Sequence, residues 1–210
     1  MSIICIPFVL GPLENNTYLV IDSETGEAVI IDPSFGSQVV LEEIQQHGWH
    51  LSQVWLTHAH FDHFAGVSII AESTTPTVPI GLHPGDLALW RQNGLVPSYG
   101  IKFESGPEPT IQFAHSQILS VGKSTFEVRH TPGHTRGHVV FVSQDDRIVL
   151  CGDLIFKGSV GRTDLPGGDT TALLNSIRTQ ILTLPAQTRL LSGHGPETTV
   201  GEEAKNNHYI

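Results

Sequence analysis

Cysteine and basic residues are scarce in this chain, and each shortage removes a class of protein. The two cysteines, Cys5 and Cys151, sit in apolar runs far apart in sequence. They read as small buried hydrophobes rather than a disulfide, and neither is expected to ligate a metal. Lys and Arg number 11 against 21 Asp and Glu, a formal charge of −10. That balance argues against nucleic-acid binding, which relies on cations to neutralise phosphates. It also means that an anionic small molecule would need a local basic contact. No apolar run approaches the roughly 20 residues that cross a bilayer. The start, Met1-Ser2-Ile3-Ile4-Cys5, lacks the basic stretch and small-residue cleavage site of a signal peptide. The expectation is therefore a cytoplasmic protein with no membrane partner, a monomer or weak homo-oligomer. With 210 residues, 39% of them hydrophobic and 15% charged, one large globular domain spanning 1–210 is expected.

Histidine is the polar residue in excess, with 12 copies. Three of them fall in Thr57-His58-Ala59-His60-Phe61-Asp62-His63. Val54, Trp55 and Leu56 before this stretch read as a short buried strand, and Phe64 to Ile70 after it as the start of a helix. At an extended strand end alternate residues share a face, so His58 and His60 point one way, while Asp62 and His63 sit in a tight turn and point elsewhere. One segment can thus serve two neighbouring divalent metal ions. Imidazole and carboxylate together suit zinc, iron or manganese, with zinc the first choice.

Alternation and breakers order the rest. Ile3 to Leu10 is expected as a strand, followed by a turn through Gly11-Pro12 and polar Glu14-Asn15-Asn16. Thr17 to Ile21 and Ala28 to Ile31 form a hairpin that Asp32-Pro33-Ser34 stops. Val39 to His47 carries an apolar stripe of Val40, Leu41 and Ile44 and reads as a helix, with His47 and His50 exposed at its end. Further helices are expected from Phe64 to about Ala71, Pro84 to Arg91, Thr170 to Leu182 and Val200 to Asn206. Strands are expected at 78–82, 124–130, 139–142, 148–151 and 189–192. Two Gly-rich loops, 93–117 and 154–169, are long enough to be functional. The first is placed at the mouth of the site, with His115 in it solvated.

Three later residues share the context of the opening cluster: His134, Asp153 and His194 each stand where an apolar strand runs out into Gly-containing backbone. Where helices cover a sheet, sites collect at strand ends because the loops there converge. With these motifs in view, the chain resembles the metallo-β-lactamase-fold hydrolases, and most closely the glyoxalase II (hydroxyacylglutathione hydrolase) type. The resemblance rests on Thr57-His58-Ala59-His60-Phe61-Asp62-His63, Thr131-Pro132-Gly133-His134-Thr135, Gly152-Asp153 and Gly193-His194-Gly195, in that order. It implies a mixed α/β (α+β) fold, a four-layer αββα sandwich with two metals at one edge. It assigns His58, His60 and His134 to one metal and Asp62, His63 and His194 to the other, with Asp153 bridging. Asp153 in place of Cys at the bridge argues against a true β-lactamase. Two cations bridged in this way lower the pKa of a shared water toward ~7, and Asp62 can orient the hydroxide that results. Thr57, Thr131, Thr135 and His138 are candidates to fix the imidazoles, His138 with a structural role.

Substrate contacts are placed in Gly158-Ser159-Val160-Gly161-Arg162. Arg162 falls where the glyoxalase II pattern has a lysine that contacts glutathione, and Lys157 and Arg136 are weaker candidates for anion contact. The family's C-terminal helical domain, which grips glutathione, has no counterpart after His194 in this sequence. The implied activity is hydrolysis of a small thioester, foremost S-D-lactoylglutathione, by hydroxide on the metals. A mononuclear-iron persulfide dioxygenase using His58, His134 and Asp153 is the alternative, followed by a lactonase or a non-catalytic metal-binding domain.

Overall fold

The computed structural model describes residues 3–95 and 103–210. Its strands are β1 (Ile3–Leu10), β2 (Asn15–Asp22), β3 (Glu27–Ile31), β4 (His50–Trp55), β5 (Ile80–Leu82), β6 (Ile111–Gln112), β7 (Ile118–Val121), β8 (Ser124–His130), β9 (Val139–Ser143), β10 (Ile148–Gly152), β11 (Ile155–Phe156), β12 (Ser159–Val160), β13 (Arg189–Ser192) and β14 (Thr198–Thr199). The α-helices are α1 (Gln38–His47), α2 (Val67–Ser73), α3 (Leu87–Arg91), α4 (Thr170–Ser176) and α5 (Val200–Asn206). Two six-stranded sheets form, ordered β1-β2-β3-β4-β5-β6 and β14-β13-β10-β9-β8-β7, with β11-β12 a separate hairpin.

Period-two alternation explains the layers. Along β2, Leu19 and Ile21 face one apolar cluster while Tyr18 and Val20 face another, and β3 divides Ala28 and Ile30 from Val29 and Ile31 in the same way. The shared cluster lies between the sheets, where Trp55 of the first packs edge-on to Phe126 of the second with centroids 5.6 Å apart. The outer face of the first sheet is covered by Val40 and Ile44 of α1, Val67 and Ile70 of α2 and Trp90 of α3. The outer face of the second takes Leu173 of α4, Ile177 and Ile181 after it, and Val200 of α5. Strands β9 and β10 split likewise, Val140, Val142, Val149 and Cys151 outward and Phe141 and Leu150 inward. This is the αββα sandwich.

Parallel pairings bring the strand ends to one edge. β3 runs parallel to β4, and β10 to β13; β8 is antiparallel to β9, itself antiparallel to β10. The segments after β3, β4, β8, β10 and β13 therefore all leave at the same rim. Backbone bonds sew the sheets there, from Val139 N–H to Thr57 O at 2.8 Å and Asn16 N–H to Gly193 O at 2.7 Å.

Several expected boundaries shift. The segment after β4 forms a 3-10 turn over Phe61–His63, and α2 begins only at Val67, because Phe64 leaves the helical region at φ −139°. Asn15 and Asn16 are buried strand residues rather than turn, the turn being confined to residues 11–14. The loop 93–117 contains a 3-10 turn at Asn93–Leu95 and β6, and 154–169 contains β11 and β12, all too short for alternation to show. Residues 96–102 of the first loop lie outside the described residues. The helix at 170–182 changes pitch after Ser176 into a π-turn over Ile177–Ile181. β7, which pairs with β8 in a tight hairpin, is an element the sequence reading omits.

Candidate metal centre

All seven expected ligands meet at the common rim. Ligand atoms of His58, His60 and His134 lie within 4.8 Å of one another, and so do those of Asp62, His63 and His194. Asp153 lies between the two groups. Its Oδ2 is 3.5 Å from His134 Nε2, and its Oδ1 is 3.4 Å from His63 Nε2 and 3.8 Å from His194 Nε2. His194 Nε2 also stands 3.2 Å from Asp62 Oδ2. The 3-10 turn at Phe61–His63 is what separates the tasks of the opening segment, since it swings Asp62 and His63 away from the extended His58 and His60.

Hydrogen bonds behind the rings decide which nitrogen is bare. His134 Nδ1 donates to Arg162 O at 2.8 Å and His194 Nδ1 to Leu13 O at 3.0 Å, because a carbonyl only accepts. His63 Nδ1 donates to Asp32 Oδ2 at 2.9 Å. The Thr57 hydroxyl gives its proton to Asp32 Oδ2 at 2.6 Å and so accepts from His58 Nδ1 at 3.0 Å. Four imidazoles thereby turn an unprotonated Nε2 toward the centre, the outer-shell arrangement that orients metal-binding histidines. His58 Nε2 and His134 Nε2 face each other at 3.2 Å, with His60 Nδ1 2.8 Å from the latter. The bare Nε2 lone pairs of His58 and His134, so close, repel unless a cation lies between them. His63 Nε2 and Asp153 Oδ1 are buried without any hydrogen-bond partner, as is His60 Nε2. The residues fit a pair of divalent cations. A further grouping of Asp32, His58 and His63 is also compact, but both Asp32 oxygens are committed to Thr57 and His63.

The electrostatics agree. Burial pushes the His58 imidazole far down, and burial with the neighbouring His134 brings His60 to about 3, so both present neutral rings. Burial would raise the Asp153 and Asp62 carboxyls, yet the surrounding histidines outweigh it and hold both below the ordinary carboxylate range. His63 shows the converse: burial lowers it, and the carboxylates of Asp62, Asp153 and Asp32 more than compensate. A cation replaces the proton that this carboxylate-rich pocket otherwise attracts.

A cavity of about 730 Å³ opens over the cluster. His60, Asp62, His134, Asp153 and His194 form its floor, and its walls include Leu13, Phe61, Leu95, Phe156, Val160 and Leu165. Arg162 lines it too, 60% exposed and forked onto Asp164 at 2.7 and 2.8 Å. Lys157 is exposed at the tip of the β11-β12 hairpin and is not part of the lining. His115 is exposed, and its Nδ1 accepts from His130 N–H. His138 is fully buried; its Nε2 accepts from Asp153 N–H at 3.2 Å and its Nδ1 faces Thr131 Oγ1, so it holds the backbone of Asp153 in place. Thr135 bonds Asp86 rather than an imidazole.

Three supporting residues escape the sequence reading. Asp32 orients both His63 and Thr57, and Asn15 approaches His63 Nδ1 at 3.1 Å. Asp86 accepts from Ala59 N–H, Thr135 Oγ1–H and Gly137 N–H, so it ties the loop bearing His58 to the loop bearing His134. Asp32 carries the same mark that singles out Asp153, a polar residue just past an apolar strand. For Asp86 no such mark exists.

Comparison with known proteins agrees with this geometry. The family model of the Metallo-beta-lactamase superfamily matches residues 10–194. The hydroxyacylglutathione hydrolase GloC of Haemophilus influenzae is 31% identical over 225 residues, covering 100% of this chain and 98% of that protein. Among solved structures, TTHA1623 in a di-iron-bound form is 40% identical with a TM-score of 0.88, covering 98% of this chain and 100% of that one. The BLEG-1 B3 metallo-beta-lactamase is 34% identical with a TM-score of 0.91, covering 98% and 99%.

Proposed function

Since the chain belongs to the metallo-β-lactamase superfamily, we propose that it is a two-metal hydrolase of small thioesters, with S-D-lactoylglutathione the leading substrate. His58, His60 and His134 would hold one metal, Asp62, His63 and His194 the other, and Asp153 both. The observation that carries this reading is the division of Asp153, whose two oxygens fall to different histidine groups. Likeness to a di-iron protein and to a hydroxyacylglutathione hydrolase supports the metal number and the bond cleaved. Zinc, iron and manganese all accept this donor set.

Bound divalent cations supply a hydroxide nucleophile near neutral pH and Lewis acidity at a carbonyl oxygen. The chain's own groups do the rest. Asp62 reaches the cavity floor beside His194, where it orients the attacking water. The mixed wall of Phe61, Leu95, Phe156 and Leu165 excludes bulk water around the acyl carbon. A thiolate leaves with little protonation, so the reaction needs no dedicated general acid at the leaving group.

The test is metal analysis of purified protein beside steady-state kinetics of wild type and Asp153→Ala on S-D-lactoylglutathione. Two metals per chain and loss of at least about a thousandfold in kcat are expected. A variant that keeps most of its activity overturns the shared-metal arrangement. One iron per chain with oxygen consumption on glutathione persulfide would replace hydrolysis by dioxygenation. Similarity to a B3 metallo-beta-lactamase favours β-lactam amide hydrolysis as a second reading, checked with nitrocefin on the same preparation.

A further inference from the structure

A second cavity of about 180 Å³ adjoins the one over the metal ligands. Leu95 lines both, and chain neighbours line opposite sides of the partition: His134 and Leu165 face the larger cavity, Thr135 and Pro166 the smaller. The wall between them is thus about one residue thick. The smaller cavity is walled by Ala88, Leu89, Pro166 and Gly167 and carries one cation, Arg136.

The two arginines near the site differ in what their charge is free to do. Arg162 is closed by a forked pair with Asp164. Arg136 forms no ion pair with any described carboxylate. Its side chain packs against Gly167, where an added Cβ would lie 3.6 Å from Arg136 Cγ and 3.9 Å from its Nε, and it lines the cavity as an exposed residue. Asp86 lines the inner wall, but its carboxylate is filled by donors from Ala59, Thr135 and Gly137. In a chain of net charge −10, an uncompensated guanidinium beside the site is the local basic contact that an anionic substrate requires.

The geometry points to the Arg136 cavity as the subsite for the thiol portion of the substrate, and to a thiol that ends in a carboxylate. This rests on the thioester reading above. The acyl group then lies in the larger cavity over the candidate metal ligands, and the tail crosses the top of the wall at Leu95, which both cavities share, to end on Arg136. Arg162, paired with Asp164, lines the larger cavity.

The test compares wild type, Arg136→Gln and Arg162→Gln on two lactoyl thioesters, one of glutathione and one of the uncharged thiol N-acetylcysteamine. Arg136→Gln should raise KM for the glutathione ester about tenfold, the size expected of a charge-assisted bond from an exposed arginine. It should leave KM for the uncharged ester and kcat for both unchanged, and Arg162→Gln should not reproduce the selectivity. Calorimetric binding of S-methylglutathione, which cannot be hydrolysed, is the second measurement and should weaken about tenfold in Arg136→Gln alone. If wild type cleaves neither ester yet binds S-methylglutathione through Arg136, the subsite stands and the thioester reading falls. If wild type cleaves both and Arg136→Gln treats them alike, the subsite falls and that reading stands. Absence of S-methylglutathione binding to wild type, or equal binding to Arg136→Gln, also overturns the subsite.

Discussion

Asp32→Asn removes one negative charge behind the metal ligands and changes almost no volume. Asp32 is 2% exposed and accepts three bonds, from Thr57 N–H at 2.7 Å, Thr57 Oγ1–H at 2.6 Å and His63 Nδ1–H at 2.9 Å. An amide keeps one oxygen and turns two N–H donors toward groups that already donate. Keeping Thr57 N–H on the amide oxygen leaves the NH2 against Thr57 Oγ1 and His63 Nδ1. That conflict is relieved when His63 moves its proton to Nε2, the atom that faces the metal site, and when Thr57 Oγ1 ceases to accept from His58. One substitution therefore disturbs a ligand in each histidine group. Loss of such outer partners costs about 10–100-fold in metal affinity, or roughly 1.4–2.7 kcal/mol. The assay is competition with a chromophoric zinc chelator, with far-ultraviolet circular dichroism to show that the sandwich survives. Thr57→Val should weaken affinity in the same direction, and the double variant should fall short of the sum because both act through one network. If Asp32→Asn holds metal within about twofold of wild type, the tautomer argument is wrong.

Gly193→Ala would place a Cβ 2.5 Å from Asp153 Oδ1 and 2.7 Å from His63 Cε1; it should reduce metal content and activity together, read by elemental analysis. Glu203, 1% exposed, accepts from Gly158 N–H, Thr198 Oγ1–H and Asn207 Nδ2–H, and Asn207 also bonds Ser159 O, so α5 clamps the hairpin that carries Phe156 and Val160 into the cavity. Glu203→Gln should therefore raise KM several-fold more than it lowers kcat, and equal effects on both would contradict that role. Burial would raise the Asp22 carboxyl, but bonds from Ser124, Thr25 and Glu24 hold it below its ordinary value. With the folded-state pKa depressed, its stabilisation is present above about pH 4 and lost as pH falls through the folded value. Asp22→Asn should unfold at lower urea by about 1–3 kcal/mol at pH 7, with the difference from wild type shrinking in acid. Chelation should lower the melting temperature, since it leaves His63 Nε2 and Asp153 Oδ1 buried without partners.

The family resemblance, drawn from local sequence context, named the residues that the structure gathers into two groups with Asp153 between them. A strand end with His at alternate positions followed by Asp-His in a turn is a short-range pattern, and strand ends at His134, Asp153 and His194 repeat its context. Most of the longer strands were likewise legible, because strands covered on both faces, such as β2 and β9, read as continuous apolar runs. The αββα layering came with the family resemblance, and alternation of side chains shows why it forms. No described helix is long and apolar enough to cross a membrane.

Tertiary structure alone decided what lies behind and beside the ligands. Asp86 sits in an unremarkable Pro-Gly-Asp turn and acquires its role only because β5 and β8 end at the same rim, bringing donors from Ala59, Thr135 and Gly137 to it. Asn15 reads as a turn residue until pairing with β1 buries it beside His63. Along the chain Arg162 is the stronger candidate for anion contact and Arg136 the weaker, yet Asp164 pairs with Arg162, whereas Arg136 lines the smaller cavity with no described carboxylate paired to it. Periodicity and motif spacing are properties of neighbours in sequence, and those the chain encodes directly. Which nitrogen stays bare depends on partners tens of residues away, Asp32 for His63 and Arg162 O for His134, that only the packed sheets bring within 3 Å.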